Sequence, residues 1–140
     1  MPTLNPSKYI RAAYITALQN ATGLKVWDRF VPKNITAPQS YIILDGQTKN
    51  ETANAKGEFF EWLSTIDVNI YYVGLVGYSY SVQVDDIENV VINTIRYGIP
   101  IAGFSNKNTQ IIDSLSLNSE TSTQSIERRV IKFEHWVSVL

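Results

Sequence analysis

The side chains able to do chemistry are few, and their spacing does not make them converge. His135 is the sole histidine; it follows Glu134 in a stretch of two-residue alternation, so the two side chains point to opposite faces of a strand. A metal site needs several convergent ligands, and a lone histidine supplies one. Its position continues the apolar series Ile131, Phe133 and Val137, so it reads as a half-buried or interface histidine. Asp85, Asp86 and Glu88 form a carboxylate cluster of the kind that acid–base or metal chemistry uses. They stand in the first turns of an expected helix, however, where the helix dipole favours negative charge. The serine-rich run 114–125 contains no Gly-x-Ser-x-Gly elbow, and Gly74-Leu75-Val76-Gly77 lacks the lysine and hydroxyl that end a phosphate-binding loop. With no cysteine, disulfides, thiolate metal sites, iron–sulfur clusters and cysteine nucleophiles are all removed. The residues predict no enzyme, no metal and no cofactor.

Groups suited to contact are more plentiful. Tyr71, Tyr78 and Tyr80 gather where a long strand should end; either they pack in the core or they form a contact surface, since large aromatics are costly to leave in water. Arg128 and Arg129 are adjacent on the last strand and so face opposite sides, one over the sheet and one free to pair across a subunit boundary, or both simply solvated. A competing ligand-binding or enzymatic reading would put a site between helices and sheet, with Tyr78, Tyr80 and His135 as its contacts. A small regulatory or adaptor domain is a third reading.

Hydrophobic spacing sets the elements that carry these groups. An apolar stripe of Tyr9, Ile10, Ala13, Tyr14, Ala17 and Leu18 predicts a helix over 6–21, capped by Asn5 and stopped by Gly23. A short strand is expected within 24–32 and another over 40–46. Residues 46–57 read as a flexible polar loop, and 58–73 as one very long strand whose alternation aligns Phe60, Trp62, Ile66, Val68, Ile70 and Tyr72. A second helix over 82–97 carries Val84, Ile87, Val91 and Ile95 inward. Residues 99–108 read as irregular, and strands over 110–117 and 124–139 close the chain. The expected fold is α+β: a mainly antiparallel sheet of about five strands, a long central strand, and two helices packed on one face.

At 140 residues and 44% hydrophobic content, the chain fits one domain spanning 1–140. Its formal net charge of −1 offers no broad basic field for phosphate backbones, so nucleic acid is not the expected main ligand. No stretch reaches the ~20 apolar residues of a membrane span, and nothing at the start resembles a secretory leader, so a soluble protein acting where it is made is expected. A strand that outruns its domain, entered from a solvated loop, points to a surface for other subunits. The contacts are expected at Lys49, Asn50, Glu51, Asn54 and Lys56 in the loop, at Glu58, Phe59 and Glu61 where the strand begins, and at Tyr78, Tyr80, Arg128 and Arg129.

In that order of elements the chain resembles the tail-completion or tail-terminator proteins of tailed bacteriophages. The likeness is carried by KYIRAAYITALQNATG, VWDRFVP, APQSYIIL, EWLSTIDVNIYY, VDDIENVVINTI and SIERRVIKFEHWVSV. Within them, Asp28, Val31 and Pro32 match the family's turn after its first strand, Pro38 and Tyr41 its next strand, and Arg128 with Arg129 its arginine-bearing last strand. The resemblance implies a non-enzymatic α+β subunit that forms a homo-oligomeric ring, of six or twelve copies, in the virion neck. Its partners would be the portal or connector, the tail tube and other neck proteins, with the loop ordering on contact. DNA would pass through the lumen without specific binding, and assembly would take place in the host cytoplasm, with no membrane involved.

Overall fold

The computed structural model describes residues 5–51 and 61–140. Ile10, Tyr14 and Leu18, spaced by four, turn one face of helix α1 (Ser7–Thr22) fully into the core. The Asn5 carboxamide oxygen accepts the Ser7 N–H at 3.1 Å, and Gly23 ends the helix at φ 72° with its N–H bonded to the Gln19 carbonyl. Helix α2 (Ser81–Arg96) buries Val84, Val91 and Ile95 in the same way. Burying each such side chain is worth roughly 1.5–3 kcal/mol.

Strands β1 (Val26–Asp28), β2 (Ser40–Glu51), β3 (Glu61–Leu75), β4 (Phe104–Glu120) and β5 (Gln124–Val139) form one open sheet in the order β1-β2-β3-β5-β4. β1 runs parallel to β2 and every other pair is antiparallel. Ile42, Leu44, Ile66, Val68, Ile70, Ile131, Phe133 and Val137 face both helices and make the core with them. The α+β class, the five strands and the central place of β3 are as the sequence predicts.

Several boundaries differ for identifiable reasons. Residues 46–51, expected as loop, continue β2, because Gly46 at φ 60° opens a bulge that sets Gly46 and Gln47 against Ile66 alone. The bulge turns Gln47 toward α1, where it accepts from Arg11 at 2.6 Å and donates to the Ser7 carbonyl at 3.0 Å. The rest of the expected flexible loop and the expected strand start at 58–60 lie outside the described residues. The short strand expected within 24–32 is there as three residues, Val26–Asp28. Residues 104–108, expected as irregular, belong to β4, whose register shift at Lys107 hides the alternation. β3 is as long as expected but not alone in that: its 15 residues are matched by 17 in β4 and 16 in β5. At about 3.3 Å per residue each spans about 50 Å.

Candidate assembly surface

β5 divides its chemistry between the two faces of the sheet. On the helix side, Arg129 donates to Asp85 at 2.8 Å and to Glu88 in a closer contact. Burial alone would lower the Arg129 pKa, but the bonds and charges of Asp85 and Glu88 outweigh it and raise it. Asp85 and Glu88 are therefore held by an arginine, and the cluster stands in the second turn of α2, past the first turn where the dipole acts most strongly.

His135 also faces the helices and is fully buried, not half-buried or at an interface. Its Nε2 meets the Tyr14 hydroxyl; its Nδ1 lies 3.2 Å from Thr109 Oγ1 and 3.4 Å from Asn106 Oδ1. Asn106 Oδ1 can only accept, so the satisfied arrangement has the proton on Nδ1 and Nε2 accepting from Tyr14. Desolvation lowers the His135 pKa to about 4 and pushes that of Tyr14 well above its ordinary value. Tyr80 is elsewhere: its backbone N–H reaches Glu127 at 3.3 Å, and Glu127 lies eight residues along β5 from His135, roughly 26 Å. His135 and the Tyr78–Tyr80 turn therefore do not share a site.

Among the described residues, no helix covers the opposite face. Across it, Tyr41, Tyr71, Arg128 and Leu117 stand in register on four strands, followed by Ile43, Asn69, Val130 and Leu115, then by Asp45, Asp67, Lys132 and Asp113. Tyr41 and Tyr71 stack with centroids 5.0 Å apart, Arg128 lies over Tyr71 at 5.6 Å, and Arg128 Nη2 donates to Asn69 at 2.8 Å. Burial raises the Asp67 pKa, and Lys132 at 3.6 Å opposes that rise. Leu115, Leu117 and Trp136 remain exposed.

The other expected contacts fall as follows. Lys49, Asn50 and Glu51 are exposed at the end of β2. Asn54, Lys56, Glu58 and Phe59 lie outside the described residues. Glu61 is buried, paired with Lys107 at 2.5 Å and accepting from Trp136 Nε1 at 3.0 Å. Tyr78 is 64% exposed, whereas Tyr80 stacks on Tyr72 and its hydroxyl accepts the Leu75 N–H at 2.9 Å. Among the described residues, no group of three or more His, Asp or Glu side chains could hold a metal ion. Lys107, the inserted residue of a bulge, lay in a segment read as irregular; no spacing pattern announces it.

This arrangement defines a class: an open α+β fold whose sheet, among the described residues, is covered by helices on one face and bare on the other. No protein-family model matches the sequence, and no curated protein matches it. Among solved structures the chain is similar to one chain of the virion of a native gene transfer agent particle. The two share 10% identity at a TM-score of 0.74, covering 97% of this chain and 99% of that one. At that identity the likeness speaks for the fold.

Proposed function

We propose that this protein is a non-enzymatic structural component of a tailed-phage virion, forming a ring in the neck that joins the portal or connector to the tail or closes the tail tube. The observation that carries this reading is end-to-end coverage: a chain of a virion particle has this fold with almost nothing added or left out on either side. The resemblance of the sequence to tail-terminator proteins points the same way. A bare sheet face and two open sheet edges are surfaces an isolated subunit leaves in water. A heterologous contact that closes after a fixed rotation covers them and stops growth at one ring. In that ring Lys49, Asn50 and Glu51 at the end of β2, with Tyr78, are the proposed partner contacts, and the lumen passes DNA without reading it.

The test is reconstitution. The purified chain is mixed with connector and tail-tube proteins encoded beside it, followed by native mass spectrometry and electron microscopy of the product. A ring seated between connector and tube is expected. A protein that joins neither, and is missing from purified particles of its own virus, overturns the reading.

A further inference from the structure

The two edges of the sheet are unlike each other and complementary. Among the described residues β4 pairs with β5 alone beyond the single bridge of Phe104 to Ile101, so the outer backbone groups of its remaining length are open. Its two register shifts lie before Asp113, and from there to Glu120 it runs in unbroken register against β5. Residues 112–120 are all exposed, including Ile112 at 49%, Leu115 at 51% and Leu117 at 43%. Lysine and proline, the usual guards of an edge strand, are absent from 108–127, as is arginine. The charges on this edge are Asp113 and Glu120, and neither has an ion-pair partner among the described residues.

At the far side, β1 stops after three residues because Arg29 turns the chain off the sheet at φ 73°, a left-handed conformation unusual for a side chain of that size. Its N–H still bonds the Leu44 carbonyl at 2.9 Å, which fixes the turn. The segment beyond it exposes Phe30 at 64% and Ile35 at 49%. Lys25, Arg29 and Lys33 are exposed here without ion-pair partners among the described residues, while Asp28 is held by Arg11 at 3.4 Å. This edge is apolar with uncompensated positive charge; the β4 edge is apolar with uncompensated negative charge.

We infer that successive copies of this chain join edge to edge, the β1 edge of one copy seating on the β4 edge of the next. This deepens the ring reading and rests on it. The two surfaces lie at opposite ends of a five-stranded sheet, so one copy cannot satisfy itself. A two-fold pairing of β4 with β4 would bring the Asp113 and Glu120 edges together as like charges, whereas β1 on β4 pairs them with arginine and lysine.

Charge reversal tests it on the full chain. One variant carries Arg29→Glu and Lys33→Glu; the other carries Asp113→Lys and Glu120→Lys. All four positions are exposed, so circular dichroism melts should match the wild type. In sedimentation velocity and native mass spectrometry over a concentration series, the wild type should assemble and each variant alone should dissociate at least about tenfold more readily. A one-to-one mixture of the two, or one chain with all four changes, should assemble again. A wild type that stays monomeric, or variants that assemble unchanged, would overturn the inference, and so would a β1-edge variant with no effect, which is the mark of β4 pairing with β4. If the edges respond as described but the oligomer joins neither connector nor tube, the neck reading fails and the edge pairing stands.

Discussion

The ring of Tyr14 meets that of His135 edge to face, with centroids 5.4 Å apart and planes at 87°, while the phenol hydroxyl bonds Nε2. The pair fixes α1 to β5 by one directional contact inside an otherwise apolar layer. Burial favours the neutral imidazole in that place.

Stability should therefore depend on pH through His135. Its pKa falls from 6.5 to about 4 on folding. Above pH 6.5 both folded and unfolded chains hold it neutral, and the contribution is fully present. As pH drops from 6.5 toward 4, the unfolded chain takes up a proton that the folded chain refuses, and stability is lost over that window. At about 1.4 kcal/mol per pH unit the loss accumulates to roughly 3 kcal/mol. Urea titrations at pH 7, 6, 5 and 4 should reveal this slope, and His135→Phe should flatten it. Coincident pH slopes for the two proteins would defeat the assignment.

Gly74 lies against the face of Tyr80, and a Cβ there would be driven into the ring. Gly74→Ala should cost roughly 1–3 kcal/mol through overpacking. Adding Tyr80→Ala should make the increment much smaller, because the obstacle is gone. Equilibrium unfolding of the four members of this cycle measures the coupling.

Arg129 and Glu88 each have side chains 13% exposed, so removing the arginine strands a carboxylate that water reaches poorly. Arg129→Ala should destabilise by roughly 1–3 kcal/mol. Lys132→Met, which breaks a 3.6 Å pair in which the lysine is 39% exposed, should cost at most about 1 kcal/mol. Equal losses from the two would mean that burial does not set the strength of these pairs.

What could be read from the chain follows from which physics is local. The stripes of Ile10, Tyr14 and Leu18 and of Val84, Val91 and Ile95, the stop at Gly23 and the alternation from Ile66 to Ile70 are written in neighbouring residues, and they give both helices and the central strand. Strand length differs from the expectation at two bulges, Gly46 and Lys107, because one inserted residue reverses the apparent face of everything beyond it. Partners distant in sequence were not legible. Nothing near Asp85 and Glu88 announces Arg129, 44 and 41 residues away, so a local dipole argument filled the gap. The edge complementarity was equally hidden: the absence of lysine and proline from 108–127 is visible, but only the strand order makes that stretch an edge.

Tyr78 and Tyr80 sit two residues apart and should separate assembly from folding. Tyr80 is held by its stack on Tyr72 and by the bond from the Leu75 N–H, so Tyr80→Phe should lower stability by roughly 1 kcal/mol and leave the outer surface unchanged. Tyr78 is 64% exposed beside an open hollow that it lines with Ser119 and Glu120 at the end of the β4–β5 hairpin. Tyr78→Ser should leave the unfolding midpoint of the isolated chain within error. In the reconstitution with connector and tail tube, the same change should reduce incorporation several-fold, since a buried tyrosine is among the larger contributors to an interface. Incorporation that follows stability across both variants would mean that Tyr78 makes no partner contact and that the turn serves the fold alone.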